Sequence, residues 1–312
     1  MKNPFLFIFC FFLLNFSFSK AETWDEPWQK EIIQASDYFV LGKVIEINDH
    51  SLKIQIIKNL GKNNIENEII IDDFFMLHLT SSSGHGVHFE FENGETAYFF
   101  LQKNKNGNYS LPTPSSGFAF IDEENNVSAT YRHSYHQALI SQEIYEFTYL
   151  NIWHYYKEKK YDKKKISEFI NTQLEIEPAG FEDDEINQFF LQHVALETAY
   201  LLNLSPDFNL VIKFANSNNY HSRISAIQLL GIYNSPQSKE FLLSTLNNDK
   251  FSDFEKVIAI WALKKTEDKN YISKVKNLSD SLSDESDGFG GNIMDPRVGT
   301  YFPSPKEAAE KL

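Results

Sequence analysis

"SPDFNLVIKFANSNNYHSRISAIQLLGIY", residues 205–233, and "SPQSKEFLLSTLNNDKFSDFEKVIAIWALKKT", residues 235–266, carry one pattern twice. Each opens with Ser-Pro, a serine suited to cap a helix and a proline where the first helical turn has no use for an N–H. An asparagine-rich turn and a second helix follow. Ile224, Ala226, Ile227 and Leu230 in the first copy return as Val257, Ala259, Ile260 and Leu263 in the second. Ser252 and Glu255 have capping-box spacing at the start of the later helix. Helices this short cannot bury an apolar face alone, so the pattern predicts stacked pairs, an α-helical solenoid over residues 181–278.

Working outward, residues 131–180 predict a long amphipathic helix and a connecting helical segment. In "HSYHQALISQEIYEFTYLNIWHYYKEKK", Leu139, Ile140, Ile144, Phe147, Leu150 and Trp153 recur at helical spacing. Pro178, Ala179 and Gly180 break that pattern before the repeats begin. Before Tyr131 the period is two. Leu52, Ile54 and Ile56 alternate with Lys53 and Gln55, and Asn93-Gly94 and Asn106-Gly107 are hairpin turns. Five or six short strands in residues 22–130 predict a small antiparallel β-barrel, since closure removes sheet edges. The fold class is therefore multidomain α+β, a barrel followed by a solenoid. Residues 279–312, rich in Ser and Asp and then carrying Pro296, Pro303 and Pro305, predict an acidic flexible tail. Phe302 and the helical "PKEAAEKL" suggest the alternative, a short peptide docked on the last repeat.

Residues 1–21 have the form of a signal peptide: a charged head, an apolar run from Phe5 to Phe18, and a small-x-small ending. The run is too short to span a bilayer, which needs roughly 20 apolar residues. The chain is thus expected to be exported, periplasmic or extracellular, without a membrane span. Its one cysteine, Cys10, lies inside the leader, so no disulfide is expected in the mature part. The formal charge is -14, which argues against nucleic acid, a polyanion that demands a basic face. Lys157, Lys159, Lys160 and Lys163 to Lys165 form a basic run, the usual mark of a solvated helix end.

The histidines hold the chemistry. "LHLTSSSGHGVHFEFENGE", residues 77–95, places His78, His85 and His88 on a serine- and glycine-rich loop and its flanks. His133 and His136 in "YRHSYHQAL" would share a helix face with Glu143 below. These five are the candidate metal ligands, with zinc the metal they would suit. Against that stand loose spacing and, in "VHFEFE", a strand pattern that turns His88 away from the apolar face. No nucleophile elbow or glycine-rich phosphate loop is present, and "DSLSDESDGFGG" lacks the ligand register of a calcium hand. No catalytic residue and no bound cofactor are predicted.

"HSRISAIQLLGIYNSPQSKEFLLSTLNND", with Arg223, Ala226 and Leu229-Leu230-Gly231, resembles short bacterial HEAT repeats over about residues 186–278. The second copy departs from that pattern at Lys256 and Lys264. "SDYFVLGKVIEI" with "FENGETAYFFL" resembles, more loosely, the OB barrel of netrins and tissue inhibitors of metalloproteinases. Those inhibitors act through an amino-terminal cysteine, which has no counterpart here. The HEAT resemblance implies a protein-binding surface. The function expected is an exported, non-enzymatic binding or scaffold protein with an unidentified protein partner. A metal-dependent hydrolase or metal-binding envelope protein using the His78/His85/His88 region is the alternative.

Overall fold

The structure is a computed structural model and describes residues 23–48, 50–72, 90–133, 136–287, 298–299 and 301–312. Residues 1–22, which include the expected leader, and His78, His85 and His88 lie outside the described residues. The chain is mixed α+β, a closed five-stranded barrel followed by helices.

The amino-terminal part runs β1 (Trp24–Asp25), α1 (Gln29–Ala35), β2 (Tyr38–Asn48), β3 (Ser51–Asn59), β4 (Glu68–Asp72), β5 (Thr96–Lys103), β6 (Tyr109–Ser110) and β7 (Phe118–Phe120). The order β2-β3-β4-β6-β5 closes through a β2–β5 pairing, and β7 adds to β5. Every barrel pairing is antiparallel except β4 with β6. Gly107, at φ +85°, turns β5 into β6, as Asn-Gly predicts. Val40, Val44, Leu52, Ile54, Ile71, Phe99 and Leu101 fill the interior.

Alternation puts Phe39 and Leu41 of β2, and Tyr98 and Phe100 of β5, on the outer face, yet they too are buried. What covers them is α2 (Gln142–Glu158). Phe39 stacks on Phe100 with centroids 4.5 Å apart, Tyr98 meets Tyr145 at 4.5 Å, and Phe100 meets Tyr149 at 5.4 Å. The Tyr98 hydroxyl donates to Glu146 (2.9 Å) and accepts from Gln142.

The long helix begins later than its periodicity predicts. Residues 126–141 form a hairpin of β8 (Asn126–Thr130) and β9 (Gln137–Ser141), paired in register from Asn126↔Ser141 to Thr130↔Gln137. Ala138 and Ile140 are buried while Leu139 is exposed, a period of two inside what reads as a helical stretch. Ser141 then caps α2, accepting from Ile144 N at 3.4 Å. His133 and His136 therefore sit at the hairpin end rather than on a helix face.

The remaining helices are α3 (Lys163–Glu175), α4 (Ile186–Leu201), α5 (Phe208–Ala215), α6 (Tyr220–Leu230), α7 (Pro236–Thr245), α8 (Asp253–Lys265) and α9 (Lys269–Leu278). They pack as pairs α3/α4, α5/α6 and α7/α8, and the second members α4, α6 and α8 lie against one another. Ser235 and Pro236 start α7 as the sequence predicts, but α5 starts two residues after Pro206, with Asp207 accepting from Asn209 N. The Pro206 carbonyl is taken instead by the Tyr233 hydroxyl at 2.5 Å. The capping box of Ser252 and Glu255 forms, and the Glu255 carboxylate also receives Nε (2.6 Å) and Nη2 (3.3 Å) of Arg223, tying α6 to α8.

Residues 298–299 and 301–312 pack on the rest of the chain, as in the docked-peptide alternative. β10 (Val298–Gly299) pairs in parallel with β1, and α10 (Pro305–Glu310) packs on α8. Phe302, 1% exposed, stacks on Phe254 at 4.2 Å and meets Trp261 at 5.1 Å. One large aromatic buries enough apolar area to outweigh the polar, proline-bearing composition around it. Among the described residues no helix is long and apolar enough to cross a membrane.

Gly231 shows how closely the end of α6 approaches α8. A Cβ there would lie 2.8 Å from Ala262 Cα and 2.9 Å from its carbonyl oxygen, a backbone clash that no side-chain rotation relieves. Gly231→Ala is expected to cost roughly 1–3 kcal/mol by overpacking. Urea denaturation of the two proteins measures it, and equal midpoints would show that α6 and α8 are free to separate.

Candidate functional site

The site begins with how α1 is held. Gln29 N donates to the Arg132 carbonyl (2.9 Å), and His133 Nε2 lies 3.0 Å from the Glu26 carbonyl. The Trp28 ring meets His133 edge-on at 5.4 Å and Trp261 of α8 at 5.9 Å. The segment ahead of the barrel is thereby clamped between the β8–β9 hairpin and the inner helices.

Where these elements meet, a cavity of about 240 Å³ opens. Trp28, Tyr131, Ile258 and Trp261 give it apolar walls, and Lys30, Arg132 and Lys265 bring positive charge. The Lys265 ammonium lies 4.1 Å from the Tyr200 ring centroid. Lys265 is largely open to solvent, yet its partial burial, with the charge of Lys30, pushes its pKa down to about 8.

Behind the cavity wall runs a buried polar network. Arg132, 5% exposed, donates from Nη1 to Ser225 Oγ at 3.3 Å and lies 3.6 Å from the Glu197 carboxylate. Glu197 accepts from Ser225 Oγ (2.6 Å) and Gln228 Nε2 (3.3 Å). Burial raises the Glu197 pKa, and the Arg132 charge works against that rise. Ser225 Oγ also lies 3.3 Å from His193 Nδ1.

His193 leads into a second cluster. Its ring centroid is 4.2 Å from that of His136, which is 4.3 Å from that of His221. The hairpin end, α4 and α6 each supply one ring. His136 Nδ1, His193 Nε2 and His221 Nδ1 are buried with no hydrogen-bond partner. Phe181 and Phe189 pack against His221, at 5.5 and 6.4 Å. The His136 ring is tilted by 34° to that of His193 and meets that of His221 edge-on, and among the described residues no group of three or more ligating side chains is placed to hold a metal ion.

Of the predicted ligands, then, the structure separates His133 from His136: the first pins α1, and the second joins His193 and His221. Neither partner was singled out from sequence, because residues 136, 193 and 221 belong to three elements whose packing no local spacing encodes. Arg132, Lys265, Trp28 and Trp261 were missed as well. The one available signal was Arg132 itself, a charge inside "ATYRHSY" next to buried alternation. No protein family, no curated protein and no solved structure matches this chain.

Burial first, then the Arg132 charge, holds His193 and His221 low, His221 at about 4; in His136 the charge of His193 adds to burial. His133, buried beside Glu26, also falls to about 4. An unfolded histidine titrates near 6.5, so these rings contribute stability fully above about pH 6.5 and lose it as the pH falls through about 4. Glu197, whose carboxyl is raised, works in the opposite direction. The melting temperature is expected to fall between pH 6.5 and pH 4. His221→Phe, which keeps the ring contacts, should flatten that fall by on the order of 1–3 kcal/mol. Calorimetry across that range decides it, and a native protein as stable at pH 4 as at pH 7 would show that the rings are not buried as neutral groups.

Proposed function

We propose that the protein is an exported, non-enzymatic binding protein in which an OB-like barrel and a HEAT-like solenoid frame a ligand site at their junction. The closure order of the barrel, with its single parallel pairing between β4 and β6, supports the OB-like reading. The stacking of α4, α6 and α8 supports the solenoid. The leader supports export. The observation that carries function is the cavity between Trp28, Arg132 and Trp261. Its walls come from three separate parts of the chain, and it combines apolar surface with a few fixed polar groups, the usual makeup of a small-molecule site. Arg132, Glu197, Ser225 and Gln228 hold one another in place, a preorganised arrangement suited to recognition.

A thermal-shift screen of small organic molecules against the full chain tests this reading. A ligand at 100 times its Kd raises stability by about 2.7 kcal/mol, a shift of several degrees. Trp261→Ala removes one wall and is expected to abolish the shift while leaving a folded protein. No stabiliser for the native protein, or one that acts equally on the variant, ends the assignment of binding to this cavity.

A further inference from the structure

We infer that the cavity takes a small organic anion, a carboxylate on a flat apolar body, with Lys30, Arg132 and Lys265 facing the carboxylate and Trp28, Tyr131 and Trp261 enclosing the body. The inference rests on the binding reading above and adds the chemical class of the ligand.

Charge is the first argument. The chain carries a formal charge of -14, yet this cavity gathers three cations against one lining carboxylate, Glu31. That carboxylate is already engaged, accepting from Trp28 N at 3.1 Å at the start of α1. Among the described residues neither Lys30 nor Lys265 has a carboxylate partner. Two like charges held close in a partly enclosed space repel, and an anion between them removes that cost.

Arg132 supplies the second argument. A locked arginine–carboxylate pair has N···O distances of about 2.7–2.9 Å, often two in parallel. Arg132 stands 3.6 Å from Glu197, with Ser225 taking its Nη1. The network positions the guanidinium and Arg132 is one of the cavity's lining residues, so its inferred role is that of a donor to the ligand while Glu197 keeps it oriented.

Size and shape complete the assignment. At about 240 Å³ the space is below the roughly 300–1,000 Å³ of drug-sized sites, which suits a ligand of one or two rings with a short acidic arm. The indole faces of Trp28 and Trp261, set at 80° to one another, offer a corner against which a flat ring can lie on one face and meet an edge on the other.

The probes are indole-3-acetate, its neutral amide indole-3-acetamide and the cationic amine tryptamine, titrated into the full chain by calorimetry at pH 7. The acid is expected to bind at least tenfold more tightly than the amide, with the amine weakest. The double variant Lys30→Met/Lys265→Met keeps the aliphatic stems. It should bring the acid to within threefold of the amide and leave the amide unchanged. Raising the pH from 7 to 9 should weaken the acid alone, because Lys265 loses its proton in that interval. An amide that binds as tightly as the acid, or a double variant that keeps the tenfold preference, overturns the inference and leaves the binding reading standing. If none of the three saturates while the wider screen yields a Trp261-dependent stabiliser, a neutral or cationic one refutes the anion and retains the cavity, and a carboxylate on a flat ring supports it. If the screen yields none either, both fall.

Discussion

Strand β5 and the first half of β2 bury both of their faces, and the architecture depends on that double burial. One side of each strand fills the barrel; the other presents Phe39, Leu41, Tyr98 and Phe100 to the tyrosines and Trp153 of α2. Fully burying a large apolar side chain contributes roughly 1.5–3 kcal/mol, so this aromatic seam outweighs the surface pairs Lys58–Glu146 and Lys62–Glu158 that flank it, each worth about 0–1 kcal/mol. The ion pairs lie at the edge of the seam, while the rings decide that barrel and helices share one core.

From that seam the position of the cavity follows. Once α2 is fixed on the barrel, the β8–β9 hairpin that leads into it is fixed too. Tyr131 is locked by its hydroxyl on Thr148 at 2.5 Å, and Tyr149 by its hydroxyl on the Thr130 carbonyl. Arg132, the next residue, then has one place to go, into the face of α4 and α6, where Glu197 and Ser225 receive it. A buried guanidinium costs several kcal/mol unless its charge is met, so this network constrains how the helices meet the hairpin. The tail adds the last wall support, since Phe302 backs Trp261 from the other side.

Much of the fold was legible because its signals are local. Alternation in residues 51–56 marks a strand wherever the chain goes, Gly107 needs its positive φ, and Ser252 with Glu255 caps a helix by spacing alone. One feature escaped and another stood open between two readings. Residues 137–141 read as helix because Leu139 and Ile140 extend the helical period of α2 backward, and only pairing with residues 126–130 shows that period two governs there. The tail reads as flexible from composition and as a docked peptide from Phe302 and "PKEAAEKL", and the packing of that ring on Phe254 and Trp261 favours the second.

The site was the least legible part. Local histidine spacing drew attention to residues 78–88 and to His133 with His136, whereas three of the described histidines, residues 136, 193 and 221, cluster from three elements. The sequence by itself determined the class of each half, barrel strands and paired helices, because hydrophobic period and capping act over a few residues. Only the tertiary structure decided which charges and rings face one another, because residues 28, 132, 228 and 261 meet through the packing of the inner helices on the hairpin, and no spacing along the chain encodes that approach.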